Sequence, residues 1–264
     1  MAFLLGLVIS VITLATMYIF AAKVWWFPPY ISEYGAAYEH QFNLTLIVCG
    51  VVFFLSQMGL AYAIFRFHDR GGKATYSHGN NMLEAVWTTA TAVVFLAIAV
   101  MGQHIWARVH LDAAPSGALQ VEVSGQQFAW NMRYAGPDGK FGRTKPELMK
   151  ESLGNALGVD PDDPASKDDV VMPIIAVPVS RPVEIILRSK DVIHSFFVRE
   201  LRLKQDAVPG MENRLHFTAE TIGRYEIPCA ELCGLGHYQM RSYLQVMSQE
   251  DFDKWLRDNA PQSQ

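Results

Sequence analysis

Cys229-Ala230-Glu231-Leu232-Cys233-Gly234-Leu235-Gly236-His237-Tyr238-Gln239-Met240 gathers two thiols, an imidazole and a thioether into one short segment. The flanking runs Arg224–Ile227 and Tyr243–Met247 alternate apolar and polar residues and read as strands. Two cysteines in an external domain would ordinarily form a disulfide. A disulfide explains neither His237 nor Met240. Thiolate, imidazole and thioether together form a soft donor set, and soft donors select copper. A mononuclear blue-copper site uses one Cys, two His and a weak axial Met. With two cysteines, each thiolate can bridge a pair of copper ions, so one electron is shared and bond lengths change little on reduction. Zinc accepts Cys and His but has no redox chemistry, and Met suits it poorly.

A second histidine must come from elsewhere, and His110, His194 and His216 are available. His194 is the candidate, because Asp191-Val192-Ile193-His194-Ser195-Phe196 places it at the end of an apolar strand. His216 reads as an ordinary strand surface residue. Further short strands are expected at Leu119–Ser124, Val183–Arg188 and Arg214–Thr218, punctuated by turns at Pro137-Asp138-Gly139, Pro209-Gly210 and Ile222-Gly223. That pattern is a β-sandwich or barrel. Residues 140–169 are polar and rich in Pro, Gly and Asp, and are expected to be a surface insertion whose charges are solvated. Phe252, Trp255 and Leu256 at helical spacing predict a short amphipathic helix over 249–259.

Upstream the chain changes character. It has 264 residues and a formal charge of -4, with no Lys/Arg stripe, which excludes a platform driven by phosphate attraction. Nearly all the charge follows Arg108. Three uncharged runs, Phe3–Ala22, Gln41–Phe65 and Ala85–Gln103, are each about the ~20 residues needed to cross a bilayer. The first lacks a basic start and exceeds a usual signal core, so a retained helix is expected rather than a cleaved signal. Cys49, inside the second run, reads as a small packing residue. Arg66, Arg70 and Lys73 make the loop between the second and third runs cytoplasmic. The segment from Pro28 to His40 carries Glu33 and Glu39 without Lys or Arg, as an external loop would. The expected organisation is an extra membrane helix over 1–27, a membrane hairpin over 41–110, and an external domain over 115–259.

The spacing C-x-E-x-C-x3-H-x2-M from Cys229 to Met240 resembles the binuclear copper signature of subunit II of cytochrome c oxidases. The similarity extends through Asp191–Phe196 and Leu203-Lys204-Gln205-Asp206-Ala207-Val208-Pro209-Gly210, and through Ser77-His78 and Leu83-Glu84-Ala85-Val86-Trp87-Thr88. The resemblance implies a membrane-anchored all-β protein: N-terminal transmembrane helices, then a cupredoxin-like β-sandwich. It implies that two copper ions are held by the side chains of His194, Cys229, Cys233, His237 and Met240 and by the backbone carbonyl of Glu231. The Glu231 carboxylate would share a magnesium ion with the catalytic subunit, and a cation there would also answer the burial of an acid between two thiolates. Glu84 matches an acid at the cytoplasmic mouth of a proton path, the alternative being a plain helix-terminal acid. Asp206 matches a structural acid near subunit I. The chain would accept electrons from an external donor and pass them to haem in subunit I. That subunit reduces oxygen to water with proton translocation. Expected partners are subunit I, other oxidase subunits, a cytochrome c domain or membrane-bound donor complex, and the lipid bilayer, with no nucleic acid. The expected location is a bacterial-type inner membrane, multi-pass, with the copper domain on the periplasmic side.

The sequence departs from that family ahead of the copper loop. In Gly125-Gln126-Gln127-Phe128-Ala129-Trp130, Phe128 takes the electron-uptake position usually held by Trp, and Trp130 keeps the second Trp. Lys190 stands where an acid is common, and Arg133, Lys140, Arg143 and Lys145 would dilute an acidic docking face. A basic soluble cytochrome c docks on acidic patches, so a different donor is expected. No C-x-x-C-H haem motif occurs. The alternatives are a copper-bearing subunit of a nitric-oxide reductase and a copper-free quinol-oxidase-like subunit. A copper carrier would need a more open site.

Overall fold

The structure, a computed structural model, describes residues 1–73, 76 and 78–261, so Ser77 of the expected hairpin signature lies outside the described residues. The chain divides into two compact units, 1–27 with 37–105 and 28–36 with 106–264.

The first unit is helical: α1 (Ala2–Ala21), α2 (Gly35–Arg66) and α3 (Asn81–His110). All three are long and apolar enough to cross a membrane, with mean hydropathies of 2.4, 2.1 and 2.0. The α2 helix starts well before the apolar run, because the good helix formers Ala36, Ala37 and Glu39 extend it beyond the lipid-facing stretch. Asn80 caps α3, its side-chain oxygen accepting from the backbone N–H of Met82 and Leu83 at 3.0 and 3.1 Å. Cys49 is exposed on α2 rather than packed in a protein core.

The second unit is a β-sandwich. Its strands are β1 (Leu119–Gln126), β2 (Ala129–Tyr134), β3 (Val170–Met172), β4 (Ile175–Pro178) and β5 (Pro182–Ser189), then β6 (His194–Val198), β7 (Leu203–Ala207), β8 (Asn213–Thr218), β9 (Gly223–Pro228) and β10 (Arg241–Met247). One sheet runs β3-β2-β1-β5-β8 and the other β4-β10-β9, with the pair β6-β7 joined to β9 by a bridge between Phe196 and Cys229. Alternation drives the layers together: Val121 and Val123 from β1, Val183, Ile185 and Leu187 from β5, and Leu244 and Val246 from β10 are all buried. The helix α4 (Gln249–Asn259) is capped by Ser248, and packs Phe252 and Trp255 against Tyr134.

Three expectations are overturned by burial. Arg133 does not sit on a docking face. It is 4% exposed, donating Nε to Glu122 at 2.6 Å and Nη1 to Asp169 at 3.1 Å and to Gly142 O at 2.8 Å. The charges of 140–169 are not simply solvated either, since buried Asp160 forms ion pairs with Lys145 at 2.8 Å and Arg143 at 3.4 Å. His216 is buried, its Nδ1 3.0 Å from the Tyr34 hydroxyl. Tyr34 belongs to a strap over 28–36, within the segment read from the sequence as an external loop, and that strap packs on the outer domain. Ile31 exchanges backbone bonds with Glu200 and Glu220, Ser32 Oγ donates to Leu201 O at 2.8 Å, and the Glu33 carboxylate accepts from Thr218 N.

Removing one partner of a buried ion network strands the other charges, at a cost of about 3–5 kcal/mol. Arg133→Met should therefore lower the urea midpoint of the detergent-solubilised chain sharply. Arg143→Met, at a side chain 68% exposed, should cost under ~1 kcal/mol. Equal losses in the two variants would show that the Arg133 network is not stabilising.

Candidate metal centre

The ligand loop joins β9 to β10, and its two ends are tied together: Cys229 N donates to Met240 O at 2.9 Å. Strand β6 lies alongside, with Ala230 N donating to Ser195 O at 3.0 Å. That places His194, the first residue of β6, beside Cys229. Within the loop, Gly234 adopts φ +135, which side-chain-bearing residues rarely tolerate. A 3-10 turn over His237–Gln239 then delivers His237 and Met240 back toward the sulfurs.

Every expected ligand is drawn into one cluster. The two Sγ atoms are 3.9 Å apart, and neither cysteine is in a disulfide. His194 Nδ1 lies 3.9 Å from Cys229 Sγ, His237 Nδ1 3.6 Å from Cys233 Sγ, and Met240 Sδ 3.7 Å from Cys233 Sγ. The carbonyl of Glu231 is 3.2 Å from Cys229 Sγ. Disulfide sulfurs would be ~2.05 Å apart, whereas two sulfurs sharing an ion need only lie within two bonds of ~2.3 Å. His194, Cys229 and Cys233 are all buried, and their donor atoms lie within 4.8 Å of one another. The donor set and spacing therefore fit a soft metal.

Electrostatics point the same way. Burial resists ionisation of Cys229, but His194, backbone contacts at Ser195 and Glu231, and His237 outweigh it and bring the thiol down. Burial and the neighbouring Cys229 sulfur push Cys233 up. One thiolate forms readily and the second needs a cation beside it.

The sequence did not show how the imidazole is held. His194 Nε2 meets Asp191 Oδ1 at 2.8 Å, while the other Asp191 oxygen accepts from Gln127 N at 2.7 Å. Burial opposes the Asp191 charge, yet Gln127, His194 and Val192 hold its carboxyl below the usual range. The Gln127 side chain donates to Cys233 O at 2.6 Å, so one residue grips both halves of the centre. The only signal for Asp191 was its spacing three residues before His194, and nothing marked Gln127.

The remaining candidates fall in different places. Phe128, 38% exposed, lays its ring over Gly234 and Gly236, where an added Cβ would come within 3.0 and 2.4 Å. Trp130 is buried, edge-on to His194 with centroids 5.9 Å apart. The Glu231 side chain is exposed, so no buried acid there calls for a cation, contrary to the burial argument made for it above. Glu84 lies in the first turn of α3, ~39 Å along that helix from His110, and is not part of the cluster.

A β-sandwich that converges soft donors on one hairpin loop, carried behind apolar helices, defines a membrane-anchored, cupredoxin-like copper protein. Residues 119–247 match the family described as cytochrome C oxidase subunit II, periplasmic domain, and residues 25–105 match its transmembrane domain. The alternative cytochrome c oxidase subunit 2 of Bradyrhizobium diazoefficiens is 34% identical over 254 residues, covering 95% of this chain and 90% of that one. Cytochrome c oxidase subunit 2 of Cereibacter sphaeroides is 29% identical over 228 residues, covering 81% and 72%. Among solved structures, the periplasmic domain of subunit II of cytochrome oxidase of Bradyrhizobium japonicum is 28% identical, covers 56% of this chain and 96% of its own, and has a TM-score of 0.41. The chain belongs to the cytochrome c oxidase subunit II family.

The outer residues that position a metal-bound imidazole typically contribute 10–100-fold to metal affinity. Asp191→Asn should weaken copper binding by that factor in a competition titration. Unchanged affinity would make Asp191 a bystander.

Proposed function

We propose that this subunit II of a haem-copper oxidase holds two copper ions through His194, Cys229, the Glu231 carbonyl, Cys233, His237 and Met240, and takes up electrons at that centre. The observation that carries the reading is the meeting of two unpaired sulfurs with two Nδ1 atoms and a thioether. When bound, the copper pair would supply a one-electron site whose charge is spread through two bridging thiolates. The protein's own residues do the rest. Asp191 fixes the His194 ring, Gln127 fixes the Cys233 carbonyl, and the buried loop ends exclude water. Phe128 offers the exposed aromatic edge over the loop at which a donor would arrive, with buried Trp130 behind it against His194.

Chain connectivity supports a three-crossing arrangement in a bacterial-type inner membrane. The strap 28–36 and everything from 106 onward fold together, so α2 and α3 leave and return to one side. Arg66, Arg70 and Lys73 then fall on the opposite, cytoplasmic side, and α1 starts there too. Magnesium at the exposed Glu231 carboxylate is proposed only at an interface with the haem-bearing subunit. Glu84, at the cytoplasmic end of α3, is proposed as the mouth of a proton path in that assembly. The donor is proposed to be a partner cytochrome or complex that docks without strong electrostatic steering. Lys190 pairs with Glu151 at 3.2 Å, while Arg143 and Lys145 pair with acids of the insertion. A steep fall of rate with salt, using a basic cytochrome c, would count against this donor class.

The copper-loaded protein should give an electron paramagnetic resonance signal split by two equivalent copper nuclei, and Cys233→Ser should collapse it to a four-line mononuclear spectrum. A four-line signal from the unaltered protein after full titration would overturn the bridged centre. Phe128→Leu, which keeps an apolar cover over Gly234 and Gly236, should leave the signal intact. It should slow donor oxidation about tenfold, as loss of one ~1.4 kcal/mol aromatic contact would.

A further inference from the structure

The copper centre leaves unexplained a groove in the helical unit. It lies between α1 and α2, has a volume of about 680 Å³, and is lined by Met17 and Phe20 from one helix and Leu46, Gly50 and Phe53 from the other. Its polar mouth is formed by Lys23, Trp26 and Asn43. From Asn43 to Phe53 the wall rises ~15 Å, half of a ~30 Å hydrocarbon core. The groove is therefore as deep as one leaflet. Trp26 clusters with Phe27 and Phe42 at centroid distances of 5.9 Å, the kind of aromatic group that sits at headgroup level.

Lys23 occupies an unusual position. The α1 helix ends with Val24 N donating to Ile19 O and Lys23 N to Phe20 O, a closing pattern that puts Lys23 in the left-handed region at φ 52. Glycine is the residue that takes this position without strain. Trp25 is left-handed as well, at φ 56. A strained backbone persists where the surroundings require the side chain. Here the lysine ammonium is held over the Trp26 ring, 5.5 Å from its centroid, at the rim of an apolar slot.

We infer that this groove is a binding site for an anionic phospholipid of the outer leaflet, one acyl chain lying along the wall of Phe20, Leu46 and Phe53 and the phosphate on Lys23. The inference rests on α1 crossing the membrane, as proposed above. A zwitterionic phospholipid would bring the same phosphate to Lys23 but offset its charge with an ammonium of its own, so the net attraction at this cation is weaker. A quinol would bring no anion to it.

The test is native mass spectrometry of the intact oxidase, exchanged into bilayer discs of phosphatidylglycerol or phosphatidylcholine. The unaltered complex should retain phosphatidylglycerol on this subunit. Lys23→Gln should lower that retention about fivefold, the equivalent of ~1 kcal/mol per cationic side chain at an anionic surface. Gly50→Phe, which fills the slot beside Met17, should abolish it. Equal retention in wild type and Lys23→Gln would overturn the assignment, even were Gly50→Phe to fail to assemble. A crosslink from Cys49, on the groove wall, to a helix of another subunit would overturn it too. The intact mass of the subunit separates the two ways of failing. A chain cleaved after α1 removes the groove and the three-crossing reading together. A full-length chain without lipid sinks the lipid site alone.

Discussion

Two cysteine sulfurs lie buried 3.9 Å apart, close enough that ionising one opposes ionising the other, and the donors of the outer domain are set around that pair. Burial raises the free energy of each thiolate, and each charge raises the other. His194 and the backbone around Ser195 and Glu231 relieve Cys229. For Cys233, burial and the neighbouring Cys229 sulfur outweigh the local hydrogen bonding and push the thiol up. A site of this kind gains its full stability only when loaded, because metal-binding energy is added to folding energy.

The constraint also explains why the donors are set on a sandwich rather than on a mobile loop. Cys229 and Met240 are closed by a strand-like bond, His194 begins β6, and β6 is bridged to Cys229 through Phe196. The β1–β2 turn reaches across to hold both the Cys233 carbonyl and Asp191. These contacts hold the candidate donors in place. The outer side of the loop meets solvent through Leu232, Leu235 and Tyr238 as well as Phe128, with His237 half-buried beside them.

Much of this was legible in the sequence, and the parts that were not share a physical cause. Strands β9 and β10 alternate because one face meets the core and the other is more exposed, so their pattern survives in one dimension; β1, β5 and β8 alternate in residue type although Glu122 and His216 on their polar faces are buried. Strand β4, Ile175–Pro178, is buried on both faces, and β6 nearly so, which erases the alternation. Strand β7, Leu203-Lys204-Gln205-Asp206-Ala207, is too polar and short to stand out. The candidate metal donors stood out in the sequence because two thiols, an imidazole and a thioether in one short segment are unusual in any context. Arg133, His216 and Asp160 were misjudged because a charged or polar letter says nothing about a partner far away in sequence. Arg133 meets Asp169 across 36 residues and His216 meets Tyr34 across 182. The exposure of Glu231 was hidden for the converse reason, since a residue flanked by buried cysteines still points the other way.

The insertion over 140–169 connects these threads. It is tied down at one end by the Arg133 network, in which burial pushes the Asp169 carboxyl up while the guanidinium works against it. Elsewhere along it, Glu151 meets Lys190 at 3.2 Å. The ammonium of Lys190 also donates to Gln126 at 3.0 Å, and its backbone N–H to Gly125 O at 2.9 Å, which pins the strand end from which Gln127 and Phe128 emerge. The next residue is Asp191, which orients His194. A segment that departs from the resemblance thus reaches Lys190, the residue before Asp191, through an ion pair to Glu151. The buried acids of the insertion, Asp160 and Asp169, pair with Lys145 and Arg133, so a polar stretch is held against the sandwich by its own charges.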